Sequence, residues 1–251
     1  MRIDLTDKHF LVTGGGRGIG KAIVYQLLSS GASVSFTYNH GKETAELFLK
    51  NLLEQFPEKA ALYQADIKDE DQSKALVDQI EKSSLGPLYG LINNAGITAD
   101  APFFSMTTDM WKDVMNTNLN GTYFLSKAVI KSFIRKKNSK IINISSVSGV
   151  RGAVGQANYG ATKAAIISLT KTLALEFAKF NLQVNAIAPG FIDTEMVANM
   201  NEQDKKKIHQ MIPMKRMGTP GEVADLVVFL CSENTNYMTG QTFIIDGGLT
   251  L

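Results

Sequence analysis

"LVTGGGRGIGKAI", residues 11 to 23, passes from an apolar, β-rich run through a cluster of glycines into residues of helical period. Gly14, Gly18 and Gly20 stand where a tight strand-to-helix turn has to form. A helix N-terminus presents unpaired backbone N–H groups and a partial positive charge, and glycine lets that backbone come close to an anion. The stretch reads as a pyrophosphate cradle made by Gly14, Gly16, Arg17, Gly18, Ile19 and Gly20. Its spacing is G-x-x-x-G-x-G, not the G-x-G-x-x-G of the best-known dinucleotide turn. The plainer alternative is a connecting turn with no ligand.

The strand-then-helix order continues along the chain. Short apolar runs, "HFLVT", "SVSFTY", "AALYQAD", "LYGLIN", "KIINIS", "LQVNAIA" and "TFIIDG", alternate with amphipathic stretches at about 18–29, 41–55, 69–82, 107–135, 156–179 and 222–232. That alternation predicts an α/β fold, a parallel sheet with helices on both faces. "GTPGEV" supports the start of the last helix, with Thr219 as N-cap, Pro220 at the first helical position and Glu222 three after the cap. No repeat, low-complexity tract or linker divides the 251 residues, so a single domain over 1–251 is expected.

The composition excludes several classes. A net charge of +2 is too small for a nucleic-acid-binding surface. Cys231 is the one cysteine and lies in the apolar run "DLVVFLCS", where a buried inert thiol is expected. "MRIDLTDKHF" lacks the apolar core of a signal peptide, and no run reaches the ~20 apolar residues of a membrane span, so a cytoplasmic protein is expected. Residues 190–217 break the alternation and carry five of the ten methionines, with Lys205, Lys206 and Lys207. They read either as a lid over a site beyond the strand ends or as a small helical excursion packed by its methionines.

The end of the second strand selects the nucleotide, because NAD sites place an acid there for the ribose 2′-OH. "SVSFTYNHGK" has no acid before Glu43, while Arg17, Asn39, His40 and Lys42 could receive a 2′-phosphate, which favours NADP(H).

Between "TGGGRGIG" and "GQTFIIDGG" the chain carries "NNAG" (93–96), "NTNLNG" (116–121), "ISSVSG" (144–149), "YGATK" (159–163) and "NAIAPGFIDT" (185–194). In these ordered motifs it resembles the short-chain dehydrogenases/reductases. The resemblance implies a Rossmann-type, doubly wound sheet of seven strands in the order 3-2-1-4-5-6-7 and a homotetramer. It puts a catalytic tetrad on Asn118, Ser146, Tyr159 and Lys163.

The chemistry can also be argued from the residues. Carbonyl reduction needs a proton at oxygen as hydride reaches carbon, and an ammonium at i+4 shares a helix face with a tyrosine. With the charge of the oxidised nicotinamide, Lys163 is expected to lower the Tyr159 pKa, making Tyr159 the acid in reduction and the base in oxidation. Taken alone, the pair could be two surface side chains. Ser146, at the end of "KIINIS", can hold the substrate oxygen.

By resemblance, Lys163 also binds the ribose hydroxyls and Asn118 joins a water-mediated proton relay. In the same way Asp66 and Ile67 meet the adenine side, Asn93, Ala95 and Gly96 run along the cofactor, and Pro189, Gly190, Ile192 and Thr194 hold the nicotinamide amide and a phosphate. Asp66 could instead be the cap of the helix in "KDEDQSKAL".

"NNAGIT", "GQANYGATKA" and "APGFIDTEM" are similar to stretches of the 3-oxoacyl-[acyl-carrier-protein] reductases, and acetoacetyl-CoA reductases and sugar or polyol dehydrogenases share much of this wording. A carrier protein is acidic, so a basic patch is expected near the active-site mouth. Arg135, Lys136, Lys137 and Lys140 offer one, and by resemblance Lys137 matches a basic docking position of the carrier-protein reductases, whereas a second such position falls on Phe180, beside Lys179. The same lysines could merely solvate a helix end. Two rival readings are a reductase of CoA thioesters or free carbonyls and a non-enzymatic NADP-binding protein.

Overall fold

The computed structural model describes residues 3–195 and 201–251. One sheet holds seven strands, all parallel: β1 (His9–Val12), β2 (Ser33–Tyr38), β3 (Ala60–Gln64), β4 (Leu88–Asn93), β5 (Lys140–Ile144), β6 (Gln183–Pro189) and β7 (Thr242–Ile245). Their spatial order is β3-β2-β1-β4-β5-β6-β7, as the resemblance implied. The direction of travel reverses between β1 and β4, so a crevice opens beyond their carboxyl ends.

The strands are apolar on both sides because both faces are covered. Phe10 and Val12 pack with Ile23, Leu27, Phe36, Val223 and Val227 on one face, while Leu11 joins Leu76, Ile80, Leu91, Val129 and Phe133 on the other. Alternation along β1 is the period-2 pleat showing through a continuous apolar run.

The helices are α1 (Gly18–Ser29), α2 (Lys42–Gln55), α3 (Glu70–Ile80), α4 (Thr108–Val114), α5 (Gly121–Lys136), α6 (Ser148–Arg151), α7 (Ala157–Phe177), α8 (Glu202–Met211) and α9 (Pro220–Cys231). The expected helix over 107–135 is one rod broken by a π-helical turn at Met115–Asn120. α9 starts two residues before the expected 222, on the full capping box of Thr219 and Glu222. In the 190–217 segment α8 supplies the helical excursion. Ile208, Ile212 and Met217 seat it against Val147 and Leu249, while Met211 and Met214 are exposed. Met196 and Met200 lie outside the described residues.

Candidate active site

The glycine turn is held from both neighbouring strands. Gly14 donates its N–H to Thr37 Oγ1 at 3.1 Å, and Gly15 donates to the Thr37 carbonyl at 3.0 Å. From β4, the N–H groups of Asn94 and Ala95 both donate to Thr13 Oγ1 at 3.0 Å, and Asn94 Nδ2 donates to the Thr13 carbonyl at 2.9 Å. Gly14 and Gly18 have φ of +63° and +52°, and a Cβ on Gly20 would lie 2.2 Å from the Gly14 carbonyl oxygen. Thr194 sits beside Gly18.

α1 begins on an extended Arg17 with no side-chain cap and no acid in its first turn. A helix start left open to an anion, with no Cβ in its path, fits a dinucleotide phosphate. Arg17, Asn39, His40 and Lys42 are all exposed on the rim of this turn, with no carboxylate at the end of β2.

Gly15, which was not among the expected cradle residues, is also required sterically. A Cβ at Gly15 would come within 2.6 Å of Phe36 Cβ, whereas one at Gly16 meets Ala45 at an ordinary 3.5 Å. Asn93 and Asn94 divide in the same way. The Asn93 side chain is buried, donating to Asn143 Oδ1 at 2.9 Å and Ser126 Oγ at 3.1 Å, behind the crevice. Asn94 is the one that reaches the turn, as the period of a strand dictates for adjacent residues.

Ile67 is core, pressed on Gly121 at the start of α5. The cap of α3 is Asp69, which accepts from the Gln72 N–H at 3.0 Å, so the capping reading of Asp66 is corrected. Asp66 instead accepts from the Lys68 N–H at 3.1 Å in the turn after β3. Beyond β6, Val147 N–H donates to the Pro189 carbonyl, Gly190 packs on Asp246, and Ile192 bridges to Gly218.

The four reactive candidates converge. Lys163 is buried with Nζ donating to the Ile144 carbonyl at 2.8 Å and lying 5.4 Å from the centroid of the Tyr159 ring. Asn118, in the π-turn, accepts from the Ile97 N–H at 2.8 Å and donates to the Ile97 carbonyl at 3.0 Å. A Cβ on Gly96 would lie 3.1 Å from Asn118 Oδ1 and 3.6 Å from Lys163 Nζ, so glycine is what lets three motifs meet. Ser146 faces the Tyr159 phenol, and its Oγ accepts from the Ser148 N–H at 3.1 Å. α6 presses on α7 at Gly149, whose Cβ would overlap the Lys163 backbone at 2.5 Å.

Burial sets the proton affinities. It raises Tyr159 above the ordinary tyrosine value; hydrogen bonding to Ser146 opposes this, and the Asp100 carboxylate adds to it. Burial lowers Lys163 to about 8. The expected lowering of Tyr159 is therefore not something the protein groups supply by themselves. They hold the phenol protonated, which suits a proton donor.

The basic edge does not lie at this mouth. Lys137 precedes β5 and Ser146 follows it, so the strand separates them by roughly 16 Å at about 3.3 Å per residue. Lys136 is tied to Glu81 at 2.9 Å, and Lys140 is fully buried, donating to Asn236 Oδ1 at 2.9 Å. Arg135 and Lys137 are left exposed.

A family model described as Enoyl-(Acyl carrier protein) reductase matches residues 14–250. The 3-oxoacyl-[acyl-carrier-protein] reductase FabG of Aquifex aeolicus is 41% identical over 249 residues, covering 99% of this chain and 100% of that protein. The proteins of the same name from Thermotoga maritima and Staphylococcus aureus (strain Mu50 / ATCC 700699) are each 40% identical, covering 98% and 96% of this chain and 99% and 98% of their own lengths. Identity at this level, spread from end to end, establishes kinship, and the chain belongs to the short-chain dehydrogenase/reductase family.

Proposed function

We propose that the protein reduces a 3-oxoacyl thioester carried on acyl-carrier protein to the 3-hydroxyacyl thioester, with NADPH as reductant. The single observation that carries the reading is the meeting of Tyr159, Ser146, Lys163 and Asn118 beside the crevice at the β1/β4 switch point. The relatives' names supply the substrate class. Gly14, Gly18, Gly20 and Thr194 would hold the cofactor, whose chemistry would be hydride transfer to the carbonyl carbon.

Tyr159 gives its phenolic proton to the carbonyl oxygen, so the C=O bond becomes C–O–H. Ser146 donates its hydroxyl to the same oxygen and holds it for that transfer. Lys163, protonated at neutral pH, stabilises the tyrosinate left behind. Asn118 keeps Ile97 and the backbone beside Gly96 in place through its two hydrogen bonds. The absence of a carboxylate after β2 and the exposed Arg17 and Lys42 support NADPH over NADH.

Met211 and Met214 stand exposed on the segment after β6, in keeping with a lid over a flexible acyl chain. The reading goes with a cytoplasmic homotetramer built from one folded unit; no helix among the described residues is long and apolar enough to cross a membrane.

NADPH oxidation measured with acetoacetyl-carrier protein and with acetoacetyl-CoA tests the assignment. Turnover on the carrier substrate is expected, with Tyr159→Phe abolishing it while NADPH affinity is kept; a normal rate in that variant would sink the mechanism. A second reading, reduction of CoA thioesters or free ketones, is favoured by the distance of the basic edge from this mouth, and it wins if acetoacetyl-CoA is the better substrate. Sedimentation of the purified protein tests the tetramer.

A further inference from the structure

Three residues outside the reacting set, Asp100, Gln156 and Ser148, form a continuous hydrogen-bonded chain that ends on Ser146. Asp100 Oδ2 accepts from Gln156 Nε2 at 2.8 Å, Gln156 Oε1 accepts from the Ser148 hydroxyl at 2.7 Å, and the Ser148 N–H donates to Ser146 Oγ at 3.1 Å. Gln156 also stands at the N-cap of α7, where its carbonyl accepts from the Gly160 N–H at 2.7 Å. One residue thus touches the helix that carries Tyr159 and Lys163, the short α6, and the segment after β4 that walls the mouth. Ala101 N–H donating to the Gly155 carbonyl at 2.9 Å, and Asn158 Nδ2 donating to the Ala99 carbonyl at 2.9 Å, hold the same two segments together on either side of it.

We propose that Gln156 is a positioning residue of the reaction, acting through Ser148 on the orientation of the Ser146 hydroxyl and anchored from the other side by Asp100. This rests on the reading of Ser146 as the group that holds the substrate oxygen. A serine oxygen has two lone pairs and one proton. With the Ser148 N–H occupying a lone pair, the Ser146 proton is turned away from α6, toward Tyr159 and the substrate oxygen. The N–H can hold that aim only while Ser148 is fixed, and the hydroxyl–amide bond to Gln156 fixes it. A glutamine serves where a carboxylate does not, because it accepts from Ser148 through one atom and donates to Asp100 through the other.

The experiment compares the purified full-length protein with Q156A, S148A, the Q156A/S148A double variant, Q156E and D100N/Q156E, using NADPH and acetoacetyl-carrier protein, with melting temperature recorded for each. Q156A is expected to lower kcat about tenfold to a hundredfold, in the range a small misplacement costs, with NADPH affinity unchanged within about twofold. The double variant is expected to be no slower than Q156A, since both break one connection.

Q156E sets two carboxylates against each other and is expected to be slow. In D100N/Q156E an amide donates to a carboxylate that still accepts from Ser148, and most of the lost kcat returns. Wild-type kcat in Q156A, losses that multiply in the double variant, or no recovery in D100N/Q156E overturns the proposal. D100A, removing the acceptor at one exposed residue, is expected to lower kcat in the same direction and gives the reading if Q156A does not fold. A wild-type protein that does not oxidise NADPH with this substrate fails the proposed function instead, which keeps the two failures apart.

Discussion

Lys140 and Lys163 bring the same side chain to two buried places and are used differently. Lys163 lies against the Tyr159 ring, while Lys140 spends its ammonium on Asn236 and Thr235 at the far end of β5. Burial lowers both from 10.5 to about 8. Between about pH 8 and 10.5 the unfolded chain keeps protons that the folded chain has released, so these two groups add stability as pH rises through that window, and their full cost is present below it. K140M is therefore expected to raise the melting temperature at pH 7, with its advantage over the parent shrinking as pH goes from 8 to 10; melts across that range check this.

The Tyr159–Lys163 pair was legible from its i,i+4 spacing and the motifs around it. Lys140 was not, because a lysine in "RKKNSK" looks like its neighbours until the sheet closes over it. Gln156 and Asp100 escaped for the opposite reason: polar residues 56 apart along the chain, joined only by the fold.

At the scale of elements, the strand–turn–helix unit at residues 9–29 was readable because its signals are local. The steric need for Gly15 was not, because Phe36 on another strand creates it. Gly20→Ala is expected to destabilise by about 1–3 kcal/mol or more through overpacking on Gly14 and to weaken NADPH binding, whereas Gly16→Ala is expected to stay within about 1 kcal/mol of the parent. Urea unfolding with parallel NADPH titration separates them.

The π-turn at Met115–Asn120 was equally hidden, since no glycine or proline within it marks the break. It turns Asn118 onto Ile97. Deleting Leu119 is expected to give a more regular helix while swinging Asn118 by about 100° relative to α5; kcat is lost and helical circular dichroism retained if that account is right.

For the whole molecule, the alternating pattern foretold the sheet, and the topology places the glycine turn and the four candidate side chains around one crevice. Charge was read less well, because a linear cluster of lysines does not say at which end of a strand it stands. Both core clusters share the strands of a single sheet, so one cooperative thermal transition is expected. NADPH at 100 times its Kd should stabilise the fold by about 2.7 kcal/mol, raising the melting temperature by about 5–10 °C, and NADH at the same concentration should do less. Calorimetry with each nucleotide checks both.

The strand order also sets a schedule for synthesis. β1 takes its two neighbours from β2 and β4, so the glycine turn and the strands that hold it are encoded before Gly96, while Thr194 beside Gly18 comes much later. Ser146, Tyr159 and Lys163 are added to the growing chain only afterwards, and Thr194 last, so on the ribosome the glycine turn is made before any of the groups that complete the crevice around it.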